Sequence, residues 1–325
     1  MKVGILGAGA MGSLMGYFAK TGGADTFFID PYEAHMKAVS ENGLEISLDK
    51  GASKIIRVNM ATTKAEDVGV CDVVIVLVKG MNTTKIIKSS MPLIGRDTVV
   101  MTLQNGIGNT DLLKELLPED QIGFGLLKGS ATLVGPGKIF GMSKNPGSDT
   151  GMYFYPLDPK TRLFPKFEEL EALLKEGGFA CELSEKTEVQ VWEKLTTNIM
   201  GNIPCALIQV APQDVVSHEM GTPLYRNIVR EVCEVAAAKG IAMDFEELWQ
   251  RVHVKMIPER PVQFRTFTSA IHDVSRKNPT EADFLNGAIY KEGQKLGIPT
   301  PYNETVWRLV KVLEDHYDVR YVPET

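Results

Sequence analysis

Apolar positions along the chain change their period a little past its middle. In the first part, short continuous apolar runs alternate with helical spacing. Val3–Leu6 reads as a buried strand, and Met11–Lys20 continues at helical spacing. Thr26–Ile29 reads as a second strand. Asp72–Val78 is apolar from its second residue on, as expected of a strand covered on both faces in a parallel sheet. Val99–Leu103 is another such run, and Met91-Pro92 and Leu117-Pro118 interrupt helical stretches. Between Gly123 and Tyr155 the pattern becomes short β-like pieces with many glycines, including Gly135-Pro136-Gly137. It predicts a less regular, antiparallel extension. Phe164–Glu176 has the spacing of an amphipathic helix, with Gly177-Gly178 to cap its end.

From Ser184 onward the spacing is helical almost throughout. Ser184 predicts the cap of a helix running to about Ile203, with Pro204 stopping it. Further helices are predicted over Leu224–Lys239, Phe245–Met256, Val262–Lys277, Ala282–Leu296 and Glu304–Asp315. Gly240, Gly297 and Pro299 separate some of them. The expectation is an α/β domain over residues 1–183 followed by an all-α domain over residues 184–325. A length of 325 residues suits two such domains.

Composition narrows the class. With 44% apolar and 23% charged residues the chain is an ordinary soluble globular protein. A net charge of −6 leaves no basic excess to neutralise phosphates, so a nucleic-acid partner is not expected. No apolar run reaches the roughly 18 residues of a membrane helix, and the N-terminal segment does not follow the plan of a signal peptide. A cytoplasmic protein is expected. Cys71, Cys181, Cys205 and Cys233 are far apart and no His/Cys cluster has metal-ligand spacing. Reduced thiols and no metal site follow.

The candidate chemistry begins at the first strand. Gly7, Gly9 and Gly12 stand at the spacing G-x-G-x-x-G, with Ala10 and Met11 between the last two, after a strand and at the start of a helix. That context is the cradle of a dinucleotide pyrophosphate: a tight turn, a close backbone approach and close helix–strand packing. The helix start then presents N–H groups and the positive end of its dipole to the anion. Asp30 ends the second strand, where an acid accepts hydrogen bonds from ribose hydroxyls and repels a 2′-phosphate. His35 and Lys37 are near but no Arg is. NAD(H) is therefore expected over NADP(H), the plainer alternative for Asp30 being a solvated loop carboxylate.

Lys79 and Asn105 follow the ends of two strands, the edge of an open α/β sheet where ligands bind. Each also has a plain reading, as a solvated lysine and as a turn-former before Gly106. Lys194, Asn198 and Asn202 stand at i, i+4 and i+8, one drifting stripe of a helix. Trp192, Leu195 and Ile199 lie elsewhere around it and can pack. An ammonium and two carboxamides suit an oxygen-rich small molecule, and the same spacing describes a solvated face. Ser269 and Asp273 share a face at i, i+4. Glu281, in Pro279-Thr280-Glu281, also reads as an acid at a helix start.

Taken in order, these segments resemble the ketopantoate reductase (2-dehydropantoate 2-reductase) family over nearly the whole chain. The resemblance rests on Gly7-Ala8-Gly9-Ala10-Met11-Gly12, Val78-Lys79, and Gln104-Asn105-Gly106-Ile107-Gly108. It continues through Trp192–Asn198, Asn202-Ile203-Pro204, Thr268–Asp273, Thr280-Glu281 to Asn286-Gly287, and Leu296–Pro301. It implies a Rossmann-like dinucleotide-binding domain and a helical domain, with dimerisation through the latter expected. It also implies hydride transfer from the nicotinamide to a 2-keto carbon. Lys194 matches the general acid that protonates the developing alkoxide, and Glu281 the carboxylate that orients it. Asn198, Asn202 and Ser269 match substrate-binding residues, and Lys79 and Asn105 residues beside the nicotinamide.

Two departures stand out. Better-known members use NADPH and carry a basic residue where this chain has Asp30. A further substrate-binding Asn of the family falls near Pro212, where there is none. Relatives with an acid at the cofactor position include NAD-dependent D-2-hydroxyacid dehydrogenases for branched or aromatic 2-keto acids. The leading expectation is reduction of 2-dehydropantoate to (R)-pantoate on the route to pantothenate and coenzyme A, the next such a dehydrogenase. A non-catalytic dinucleotide sensor would need neither Lys194 nor Glu281. Those two residues are expected to face one crevice with Lys79, Asn105 and the glycine loop.

Overall fold

The computed structural model describes residues 1–49, 51–144, 150–256 and 267–319. They form two compact units: residues 1–104 with 109–187, and residues 105–108 with 188–325.

The first unit is built in chain order from β1 (Lys2–Leu6), α1 (Ala10–Thr21), β2 (Asp25–Ile29), α2 (Glu33–Asn42), β3 (Leu44–Leu48), β4 (Lys54–Ile56), β5 (Met60–Thr62), β6 (Val73–Val76), α3 (Thr83–Ser89), β7 (Val99–Thr102), α4 (Asn109–Lys114), β8 (Ile122–Leu127), β9 (Ser130–Gly135), β10 (Lys138–Met142), β11 (Met152–Pro156), α5 (Phe164–Glu176) and β12 (Cys181–Leu183). Eight strands form one sheet in the order β12-β11-β8-β7-β6-β1-β2-β5. From β5 to β8 every pairing is parallel. β11 runs antiparallel to β8 and carries β12 parallel to itself.

The apolar runs of β1, β6 and β7 are continuous because both sheet faces are covered. Val3, Ile5, Val73, Ile75, Val99 and Met101 join a core with Leu14, Phe18 and Phe167. Leu6, Val74, Val76 and Val100 join another with Ile87, Leu93 and Leu113. The glycine-rich stretch after residue 123 is antiparallel only in part and is shared between sheets: β11 runs antiparallel to β8 and β10 to β9, while β8 is parallel to β7 and β10 to β3. β9 and β10 pair in a second sheet of order β4-β3-β10-β9. The short strands β3, β4, β5 and β12 escaped the sequence pattern, since each is only three to five residues long and largely at an edge.

The second unit is helical: α6 (Thr187–Gly201), α7 (Ile203–Ile208), α8 (Pro212–Ser217), α9 (Gly221–Ala238), α10 (Phe245–Met256), α11 (Ser269–Ser275), α12 (Asn286–Leu296) and α13 (Pro301–Asp315). Trp192, Leu195 and Ile199 of α6 pack with Tyr225, Val229, Trp249, Ile271 and Val310 in one core. Three expectations need correction. Pro204 stands in the first turn of α7 and starts that helix rather than ending the previous one. Of the helix expected over residues 262–277, the described part begins at Ser269; residues 262–266 lie outside the described residues. The helix expected from Ala282 breaks at Leu285, after a single 3-10 turn.

All four cysteines are buried free thiols. Burial pushes Cys71 and Cys205 up to about 11 and Cys181 and Cys233 up to about 12. At neutral pH none supplies a thiolate nucleophile. Among the described residues no helix is long and apolar enough to cross a membrane, and no group of His, Cys, Asp or Glu has the make-up of a metal site.

Candidate active site

In the sheet, β2 and β5 lie to one side of β1 and β6 to β8 to the other. The carboxyl ends of β1 and β6 therefore flank the topological switch point, the ligand edge of an open α/β sheet. At this edge Gly7 adopts φ +87°, and a Cβ on it would lie 2.6 Å from the Val78 nitrogen. The turn and the approach of β6 both require glycine here. A Cβ on Gly12 would overlap the Gly7 carbonyl oxygen, so the first turn of α1 is seated directly on the glycine turn. On Gly9 a Cβ would meet nothing within 4 Å. That open space lies at the start of α1, whose first residues are Ala10 and Met11. The first N–H groups of a helix have no partner within it, and the dipole favours an anion there. The turn thus fits a dinucleotide pyrophosphate.

Asp30 directly follows β2. Its Oδ1 accepts from the Tyr32 N–H at 2.8 Å. Burial raises its carboxyl above the ordinary range, against the lowering pull of the Tyr32 N–H and of His35. Lys79 follows β6 by a short loop, as expected. Gln104, to which the sequence reading gave no role, builds that loop. Its Nε2 donates to the Val78 carbonyl and to Thr83 Oγ1, each at 2.8 Å, and its Oε1 accepts from Thr102 Oγ1 at 2.9 Å.

His35 is fully buried. Gly137 donates its N–H to Nδ1 at 2.8 Å, which leaves the proton of the neutral ring on Nε2. Nε2 lies 3.1 Å from Ser13 Oγ, and Ser13 donates in turn to the Ala8 carbonyl at 2.9 Å. Burial holds the imidazole below its ordinary range, with Asp30 and the Ala8 carbonyl pulling the other way. The unfolded chain therefore takes up this proton first as pH falls. The stability contributed by neutral His35 is complete above about pH 6.5 and is lost below it. Melting temperatures of the wild type and of His35→Gln, which cannot titrate, should differ more at pH 8 than at pH 5.5. A gap that stays constant would contradict this sign.

In the helical unit, Lys194 Nζ donates to Asn105 Oδ1 at 2.8 Å. Asn105 lies in the loop after β7, and this loop of four residues belongs to the helical unit. Ile107 holds it there by donating its N–H to the Phe284 carbonyl at 3.0 Å. Gly106 has φ +83°, and a Cβ on it would overlap the same carbonyl oxygen. This contact accounts for the broken helix: Phe284 gives its carbonyl to the loop, and Ala288 bonds Leu285 instead.

Glu281, half-buried, opens the 3-10 turn that ends at Phe284, its carbonyl accepting from the Phe284 N–H at 3.0 Å. The turn is pinned on both sides. Thr280 donates its N–H and its hydroxyl to Glu314 Oε1 at 2.8 and 2.6 Å. Asp283 accepts from Trp307 Nε1 at 2.9 Å and from Lys311 Nζ at 3.1 Å. Burial alone would raise the Asp283 carboxyl, but these two donors hold it below the usual carboxylate range. Farther along the stripe, Asn202 donates to the Asn198 carbonyl at 2.9 Å, and Ser269 Oγ donates to Asn202 Oδ1 at 3.2 Å. The structure thus joins Lys194 to Asn105 and Asn202 to Ser269, and links Glu281 to the Asn105 loop through backbone. The clasp of Gly106 on Phe284 was missed; the Asn-Gly pair marked a turn but not its partner.

A glycine turn that fits a dinucleotide pyrophosphate, with a lysine held on a carboxamide in the helical unit, suits a dinucleotide-dependent oxidoreductase. The chain belongs to the ketopantoate reductase family: the family described as "Ketopantoate reductase PanE/ApbA" matches residues 3–148 and its "C terminal" counterpart residues 187–314. It is accordingly an NAD(P)-dependent enzyme acting on CH–OH groups. The 2-dehydropantoate 2-reductase of Streptococcus pyogenes serotype M3 is 28% identical over 317 residues, covering 97% of this chain and 98% of its own. A D-mandelate dehydrogenase solved with NADH and anilino(oxo)acetate superposes with a TM-score of 0.85 at 27% identity, covering 98% of this chain and 100% of that one. A PanE/ApbA family ketopantoate reductase from Ralstonia eutropha JMP134 gives 0.82 at 26% identity, with coverage of 98% and 100%.

Proposed function

We propose that the enzyme reduces 2-dehydropantoate to (R)-pantoate in the cytoplasm, with NADH as the favoured cofactor. The observation that carries the reaction type is the Lys194–Asn105 hydrogen bond of 2.8 Å. A neutral carboxamide oxygen is too weak a base to take the proton, so it holds the ammonium in place without discharging it. The reduced nicotinamide, when bound, supplies the hydride. Lys194 donates the proton to the oxygen of the 2-keto group, and Glu281 orients the lysine and the substrate. Asn198, Asn202 and Ser269 hold the substrate's hydroxyl and carboxylate oxygens. Gly7, Gly9, Ala10, Met11 and Gly12 bind the pyrophosphate, Asp30 the adenosine ribose, and Lys79 flanks the nicotinamide. The α/β domain of residues 1–183 thus serves the cofactor and the helical domain of residues 184–325 the substrate, with a homodimer formed through the latter.

A second reading has specific support. Asp30 stands where a 2′-phosphate would need a cation, and the D-mandelate dehydrogenase likeness was solved with NADH. Both favour an NAD-dependent D-2-hydroxyacid dehydrogenase acting on another branched or aromatic 2-keto acid. Initial rates with a panel of 2-keto acids, each with NADH and with NADPH, separate the readings. 2-Dehydropantoate should give the highest kcat/KM; a clear excess for an aromatic 2-keto acid selects the second reading. In the same assay NADH should outperform NADPH, and Asp30→Arg should shift the ratio toward NADPH by about tenfold or more, the scale of one charged contact. A wild-type preference for NADPH would sink the role given to Asp30.

A further inference from the structure

Ala8 and Gly9 share one peptide plane, and in a trans peptide the carbonyl and the following N–H point in opposite directions. Whatever fixes the Ala8 carbonyl therefore aims the Gly9 N–H. The Ser13 hydroxyl holds that carbonyl from the buried side at 2.9 Å. A Cβ on Gly9 would meet nothing within 4 Å, and the Gly9 N–H donates to no group among the described residues. Ser13 cannot choose its acceptor alone, because a hydroxyl rotates. His35 makes the choice: with Nδ1 taken by the Gly137 N–H, its Nε2–H donates to Ser13 Oγ and leaves the serine proton for Ala8.

We propose that His35 is a positioning residue of the dinucleotide cradle, acting through Ser13 on the Ala8–Gly9 peptide so that the Gly9 N–H faces the pyrophosphate. The relay spans three segments distant in sequence: the start of α1, the start of α2, and the turn between β9 and β10. The second sheet thereby takes part in cofactor binding without touching the cofactor. The inference rests on the reading of the glycine turn as the cofactor site.

Fluorescence titration with NADH at pH 8 tests it, beside melting temperatures. His35→Leu fills the space but breaks the relay, and it should weaken NADH binding about tenfold, the scale of one buried hydrogen bond. Ser13→Ala should do the same. His35→Gln keeps an Nε2 donor at the place of the ring's and should restore binding to within about threefold of wild type. The KM for the 2-keto acid and kcat at saturating NADH should not move in any of them. A folded His35→Leu that binds NADH like wild type overturns the proposal, and so does equal weakening by Leu and Gln, which would make the role one of packing. Should His35→Leu fail to fold, Ser13→Ala against His35→Gln gives the same contrast. A wild type that binds no NADH would remove the cofactor reading and the relay together; normal wild-type binding with unaffected variants removes the relay alone.

Discussion

Lys194→Ala is expected to bind NADH as the wild type does and to lose about 10²–10⁴-fold in kcat, the usual range for removing a general acid. The lysine lies on α6 with its ammonium on Asn105, both in the helical unit, whereas the glycine turn belongs to the α/β unit. Binding and turnover should therefore separate. Lys194→Arg sharpens the test. It keeps the positive charge and the capacity to donate to Asn105, but a guanidinium does not give up its proton in a protein. If the lysine supplies a proton, Arg should be nearly as inactive as Ala. If it supplies only charge, Arg should recover most of the rate. Near-normal turnover by Lys194→Ala would return the whole polar stripe to a solvated helix face.

The second large effect is expected from Gly106→Ala. Alanine at φ +83° pays about 1–2 kcal/mol of backbone strain, and its Cβ would overlap the Phe284 carbonyl oxygen. The loop must then move off Phe284, giving up the bond from the Ile107 N–H, worth about 1 kcal/mol. Asn105, one residue away, moves with it, and the Lys194 ammonium loses its seat. Misplacement of a reacting group by about 1 Å can cost about 10²-fold, so kcat should fall by that order. Gly108→Ala provides the control. It has φ +92° but a Cβ there meets nothing within 4 Å, so it carries the strain without the overlap. Gly108→Ala should lower the melting temperature and spare kcat; equal losses of kcat in both variants would show that strain alone accounts for the effect.

The order of elements, the covered strands of the parallel sheet and the tight glycine turn were legible in the sequence, because each depends on short-range pattern. A continuous apolar run reports cover on both faces, and Gly7 and Gly12 report a turn that admits no side chain. Lys194 and Asn198 were legible as a stripe, since helical spacing alone sets it; Asn202 stands just past the end of α6, at the cap of α7. What faces the stripe was not. Asn105 reaches Lys194 across 89 positions of sequence, through a loop that leaves its own sheet to join the helical unit. The break at Leu285 was equally hidden, because local propensity favoured one helix from Ala282. The distant Ile107 N–H took the Phe284 carbonyl instead. His35 shows the same division. Its burial could be guessed from neither its type nor its position beside Asp30. Its tautomer is decided by Gly137, 102 residues away. Periodicity and glycine spacing determine which elements form and where the glycine turn lies. Hydrogen bonds between residues far apart in sequence decide which donor meets which acceptor, because those partners satisfy buried polar groups that the local chain leaves open.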